Sequence, residues 1–428
     1  MSRTDWSSLG KKEDWWAVWL GFFLLALVGS GAMGWIPKIG TWTATPASAV
    51  KIGDIAFFVG LGVVILVLTG VAVVAGGGKF RSFTAGFPLV FVLSFLAFIL
   101  ASQKTIKVDY GLEYPIWALL FGLVISNTVG TPNWLKPASR TELFIKIGLV
   151  LLGAEILFQT IMKAGVAGMA QAIIVVLLVW YLCYFLALKA GLEKPFASIL
   201  SSGVSICGVS AAIATGGAVK GDPKQVSYAI SLILLAAVPM LIGLPILARY
   251  LGLPAAVAGA WIGGTIDTTP AVVAAGALYS EDAMTYAAIV KMSQNVLIGV
   301  AAFILAVYFA VKVEKKAAGE GRPSPLEIWY RFPKFIIGFI LASAIFSLIL
   351  IPGMGDKAVS GITGLSSVLR GWFFCLAFVC IGLDTKIAEL VKMGAGKPAA
   401  VFLTAQVFNI LLTFALAWLL FGGIIIPS

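Results

Sequence analysis

Two ionisable residues stand inside otherwise apolar stretches: Asp267 in GGTIDTTPAVV and Lys291 in AAIVKMSQNVLIG. A charge at the bilayer centre costs about 2.5–3.5 kcal/mol on insertion scales, so such a residue normally faces protein and has a partner. A turn is expected near Ser280, about twelve residues from each of them. At 1.5 Å per residue both lie roughly 18 Å from that turn, close to the middle of a ~30 Å hydrocarbon core. A buried acid and base at one depth can bind an ion or exchange a proton, or form an ion pair that joins two helices.

The neighbours of this pair are polar as well. Ser293, Gln294 and Asn295 follow Lys291, with Asn295 one turn on along the same face. Thr265, Thr268 and Thr269 flank Asp267, and Pro270 lacks an N–H and displaces the carbonyl four residues back, that of Ile266. Thr265, Ile266 and Asp267 thus read as a cluster of hard oxygens for a coupling ion, either a proton or sodium. An earlier stretch, SSGVSICGVSAAIATGG, places Gly203, Ser205, Cys207, Gly208 and Ser210 mid-span. A helix broken near Gly208 would present unpaired N–H groups and a partial positive charge, which suit an anion. The alternatives are a plain proline kink in one stretch and close helix packing through small residues in the other.

The elements that carry these residues are membrane spans. The 428-residue chain is 60% hydrophobic and 11% charged, with mean hydropathy +1.03, too apolar for one soluble core. Stretches near the ~20 residues a bilayer needs number thirteen: 15–37, 52–78, 84–103, 113–129, 141–159, 165–190, 194–217, 224–250, 254–278, 282–313, 332–353, 362–384 and 396–425. The expected fold is therefore an all-α polytopic membrane protein with about thirteen transmembrane helices, interrupted near 201–217 and 263–276. Nineteen Lys and Arg residues fall in segments that are inner if the N-terminus is cytoplasmic, against nine, Arg370 among them, in outer ones. That bias gives a multi-pass protein of the plasma (inner) membrane with its N-terminus inside. The retained first helix follows a polar N-terminus, and additional helices occupy 1–112. A first core part covers 113–313, a charged cytoplasmic linker 314–334, and C-terminal core helices 335–428.

LLGAEILFQTIMKAG (Leu151–Gly165) resembles CIGLDTKIAELVKMG (Cys380–Gly394), and FGLVISN (Phe121–Asn127) more faintly resembles IGFILAS (Ile337–Ser343). Each pair lies seven spans apart, so its members run in opposite directions, as in the inverted-topology repeats of secondary transporters.

Several classes are disfavoured. The net charge of +11 is spread over short loops rather than clustered, which argues against nucleic acid. Four cysteines, Cys183, Cys207, Cys375 and Cys380, lie within spans without metal-type spacing. With no histidine, a Ser-His hydrolase is impossible, leaving only a Ser-Lys arrangement of Ser205 or Ser210 with Lys291. No phosphate-cradling G-x-x-x-x-G-K-[ST] loop is present. No enzyme activity, cofactor or metal is expected.

Gly203–Ala214 (GVSICGVSAAIA), Thr265–Gly276 (TIDTTPAVVAAG) and Ile289–Gln294 (IVKMSQ) together resemble the YeiH-type sulfate exporter family, from about Glu113 to the C-terminus. The resemblance implies a secondary transporter related to the bile acid sodium symporters, with two broken helices crossing at the substrate site and anions such as sulfate or small sulfonates as substrates. Where typical members carry S-I-H-E-V-A-Q, this chain has Asp267 and Thr268 in place of the histidine and glutamate, and Gln294 replaces an arginine. Loss of the arginine removes a bidentate clamp and opens the site to a different or singly charged anion. Ser205, Cys207, Gly208, Ser210, Thr268, Thr269, Lys291, Gln294 and Asn295 are the expected substrate contacts, with the helices broken at Gly203 and Pro270. The partners are a small anion and the lipid bilayer, and the N-terminal helices offer a surface for a homodimer. The runner-up is a sodium/proton antiporter using Asp267 and Lys291.

Overall fold

The computed structural model describes residues 8–108, 114–156, 158–309, 332–386 and 396–423, with Trp329 and Ala388. Most of the expected linker at 314–334, and residues 387 and 389–394 of the second repeat segment, lie outside the described residues. Helices dominate because long runs of apolar side chains leave the backbone no water to bond with, and a helix pairs every N–H and C=O internally.

In chain order the main helices are α1 (Glu13–Gly29), α2 (Ile55–Ala75), α3 (Phe80–Ala101), α4 (Tyr114–Thr128), α5 (Thr141–Glu155), α6 (Phe158–Lys189), α7 (Lys194–Ser202), α8 (Val209–Ala218) and α9 (Pro223–Tyr250). They continue as α10 (Ala255–Thr265), α11 (Thr269–Tyr279), α12 (Glu281–Tyr308), α13 (Lys334–Ile345), α14 (Asp356–Asp384) and α15 (Lys397–Phe421). Among the described residues, eight stretches are long and apolar enough to cross a bilayer: Ile52–Ala75, Phe80–Ala101, Ala164–Lys189, Lys224–Tyr250, Glu281–Tyr308, Lys334–Met354, Asp356–Asp384 and Lys397–Phe421. The protein is a multi-pass membrane protein. The other five expected spans are realised differently. Three are single helices of 17, 15 and 15 residues, α1, α4 and α5. Two are interrupted, as α7/α8 and α10/α11.

The chain forms two compact units, Met1–Ile161 with Lys334–Lys386 and Met162–Pro333 with Ile387–Ser428. Each is assembled from two separate stretches of sequence. Both helix interruptions fall in the second unit.

In the first unit, α14 packs on α4 and α5, and α13 packs on α5. The α4–α14 approach requires glycine on both sides: a methyl at Gly122 would sit 2.7 Å from the Gly382 Cα, and one at Gly382 would meet Gly122 at the same distance. Ser126 donates to the Thr385 carbonyl at 2.7 Å, while Ser343 donates to the Ile156 carbonyl at 2.5 Å. Ile156 and Thr385 are equivalent in the Leu151/Cys380 sequence match, so the two bonds are reciprocal. The fainter match aligns Asn127 with Ser343, whereas the reciprocal bonds align Ser126 with it, a shift of one residue. Arg370, counted above with the outer segments, is instead buried in the middle of α14. Its guanidinium pairs with Glu155 at 2.9 Å and lies over the Phe374 ring, because a charge at that depth needs a partner. Lys146 anchors α5 to α1 through Asp14 at 2.9 Å.

Candidate functional site

In the second unit the helix that starts at Lys194 widens into one π-type turn over Gly203–Cys207 and stops at Gly208. Gly208 has φ +60° and ψ −111°, a conformation only glycine adopts readily. The second helix stops at Thr265, runs extended through Ile266 and restarts at Thr269, with Thr268 as N-cap. Pro270 therefore sits in the first turn of α11, where its missing N–H costs nothing, and it opens a helix instead of kinking one. The carbonyls that find side-chain donors are those of Gly264 and Thr265, before the expected Ile266.

The two breaks touch. A Cβ on Gly208 would lie 3.1 Å from the Asp267 carbonyl oxygen and 3.2 Å from its Cβ. Gly203 makes room for the Ile233 side chain as Gly208 does: a Cβ would meet it at 2.6 Å on Gly203 and at 2.7 Å on Gly208. Helices α8 and α11 thus begin beside each other, and no side chain caps either N-terminus. Their first-turn amides have no intrahelical partner and carry the positive end of the helix dipole.

Lys291, 1% exposed, comes from α12, which starts at Ser280 as the spacing predicts; the Ser280 hydroxyl accepts from Ala283 N at 3.1 Å. Its ammonium donates to the Ile206 carbonyl at 2.7 Å and to Gln294 Oε1 at 2.9 Å. Gln294 Nε2 donates in turn to the Gly264 carbonyl at 3.1 Å, and Asn295 Nδ2 donates to Thr269 Oγ1 at 3.0 Å. The α12 polar run therefore joins both breaks. Asp267 is 2% exposed and its Oδ2 has no hydrogen-bond partner. It does not form an ion pair with Lys291, whose ammonium is turned to the first break. Equal depth is set by helix spacing, but the direction of each side chain is not.

Other expected contacts take lesser places. Ser205 bonds back to the Ser201 carbonyl at 2.7 Å, Cys207 packs among Val176, Ile206, Ala211 and Ile298, and Ser210 is exposed. Thr268 and Thr269 are half-buried, and Thr265 is buried with its hydroxyl bonded to that of Thr413.

One wall of the site was missed by the sequence reading. On α15, Gln406 Nε2 donates to the Thr265 carbonyl at 3.0 Å, while Asn409 Nδ2 reaches the Thr265 and Val204 carbonyls at 3.3 and 3.4 Å. On α6, Gln171 Nε2 donates to the Ala260 carbonyl at 2.9 Å. Gln406 Oε1, Asn409 Oδ1, Asn295 Oδ1 and Gln171 Oε1 are buried acceptors without partners, like Asp267 Oδ2. The signal was present: Gln406, Asn409 and Thr413 lie three and four residues apart, on one face of an apolar helix.

A model of the family called conserved hypothetical protein 698 matches residues 85–401. The chain belongs to that family. A UPF0324 membrane protein of Rhodopirellula baltica is 42% identical over 90% of this chain and 72% of its own length. One from Nitratidesulfovibrio vulgaris is 43% identical over 81% of this chain, which spans only 60% of that relative. A third, from Nitrosomonas europaea, is 31% identical over the whole chain and 99% of its own length. The match to the Nitrosomonas europaea protein also covers residues 1–112 of this chain. No solved structure matches the chain.

Proposed function

We propose that this protein is an alternating-access exporter of a small inorganic or organic anion, such as sulfate or a sulfonate, across the inner membrane. The observation that carries the reading is the meeting of two uncapped half-helix N-termini at Gly208 and Asp267 beside the buried Lys291 cation. Irregular backbone at membrane depth belongs where it lines a cavity or is enclosed by protein, and paired broken helices mark substrate sites in secondary transporters. Val209, Ser210, Thr269 and Ala271 are the amides we assign to the anion, with Lys291 as the fixed positive charge. Thirteen crossings with the N-terminus inside complete the reading, the short α1, α4 and α5 included. An inverted repeat is supported by the reciprocal Ser126–Thr385 and Ser343–Ile156 bonds.

Asp267 favours a second reading. A buried carboxylate oxygen without a donor suits a cation or proton, as a sodium/proton antiporter needs. Proteoliposome currents separate the two. An anion-dependent current that is lost in Lys291→Gln is the expected result. Sodium-driven proton movement without any anion response, abolished in Asp267→Asn, would establish the antiporter instead.

A further inference from the structure

A helix that stops inside a membrane leaves carbonyls without partners at its C-terminal end, which is also the negative end of its dipole. In carriers built from broken helices such carbonyls are where a driving metal cation is coordinated. Here four carbonyls at the ends of the two first half-helices already have side-chain donors. At the first break, the Ile206 carbonyl holds the Lys291 ammonium at 2.7 Å and the Val204 carbonyl accepts from Asn409 at 3.4 Å. At the second, the Gly264 carbonyl accepts from Gln294 at 3.1 Å, and the Thr265 carbonyl from Gln406 at 3.0 Å and Asn409 at 3.3 Å.

We infer that Lys291 is a built-in cation standing in for a coupling metal ion, with the Gln294, Gln406 and Asn409 amides closing the Gly264, Thr265 and Val204 carbonyls, so that this carrier works without sodium. The inference rests on the two breaks forming the site of a carrier, as proposed above. A sodium ion seated on these carbonyls would have to displace N–H donors from two helices. It would also sit beside an ammonium that is 1% exposed, where like charges repel far more strongly than in water. Asp267, with a free Oδ2 at the adjoining break, supplies the counter-charge without contacting the ammonium.

The test needs no substrate. Thermal unfolding of the purified protein is followed while sodium chloride replaces choline chloride at constant ionic strength. The wild-type midpoint is expected to move by less than about 1 °C, against the several degrees that a specific ion gives at ~100 times its Kd. In Lys291→Ala the midpoint falls, and methylammonium, a detached copy of the lost group, restores at least half of the fall saturably, while tetramethylammonium at equal concentration does not. Saturable stabilisation of the wild type by sodium, lost in Asp267→Asn, would overturn the inference and put a metal ion among Asp267, Gln406 and Asn409. A folded Lys291→Ala indifferent to methylammonium would overturn it equally. If Lys291→Ala does not fold, the wild-type sodium titration decides alone. A failed anion-transport assay would sink the proposed function and leave this titration untouched, so the two are separable.

Discussion

At Gly208 a methyl group would lie 2.7 Å from Ile233 Cγ2 and 3.1 Å from the Asp267 carbonyl, in a backbone conformation that L residues avoid. Gly208→Ala is therefore expected to destabilise the protein by about 1–3 kcal/mol and to abolish transport, as read by thermal unfolding and by proteoliposome flux. Gly203→Ala meets only the flexible end of Ile233, so the smaller loss is expected there. At this scale the sequence was most informative about charge. Asp267 and Lys291 were legible because each is an ionisable group in an apolar run, and their shared depth followed from the turn at Ser280. Their lack of direct pairing was not legible, since residue spacing fixes height along a helix and leaves open which backbone carbonyl an ammonium will reach.

At the scale of elements, α15 deserves comparison with α14. Replacing Asn409 by Leu removes the side-chain donor to the Val204 carbonyl, leaves the Thr265 carbonyl to Gln406 alone, and should cost about 1–3 kcal/mol, measured by denaturation in detergent. Thr413→Val should cost less, because the Thr265 hydroxyl is a flexible rotor that can turn to another acceptor. Where α5 meets α14, Glu155→Leu or Arg370→Met alone leaves an uncompensated buried charge and should cost about 3–5 kcal/mol, whereas the double variant should regain much of the loss. The helices themselves were legible from length and apolarity, and the interruptions from glycine and proline. The polar face of α15 was hidden because three polar residues in a 25-residue apolar helix hardly change its mean hydropathy. The position of Arg370 was hidden because its partner Glu155 is distant in sequence.

At the scale of the whole molecule, the proposed topology places the loops around Lys38 and Lys79 on opposite faces. Both residues are exposed, and all four native cysteines are buried. A membrane-impermeant maleimide applied to intact cells should leave the wild type unlabelled, label Lys38→Cys, and label Lys79→Cys only after lysis; the reverse pattern would invert the orientation. The interleaved make-up of the two units was not legible, because hydropathy reports where a chain crosses a membrane and nothing of which crossings pack together.

The dependence of the second break on α15 also sets a schedule. Thr265 leaves the ribosome well before Gln406 and Asn409, the residues that close its carbonyl. At ~5–20 residues per second the interval is roughly 7–30 s. During that time a nascent chain holds an unfinished polar gap among its helices. Insertases and quality-control proteases therefore meet this protein in an open form, and a variant weakened in α15 should be lost during biogenesis before its activity can be measured.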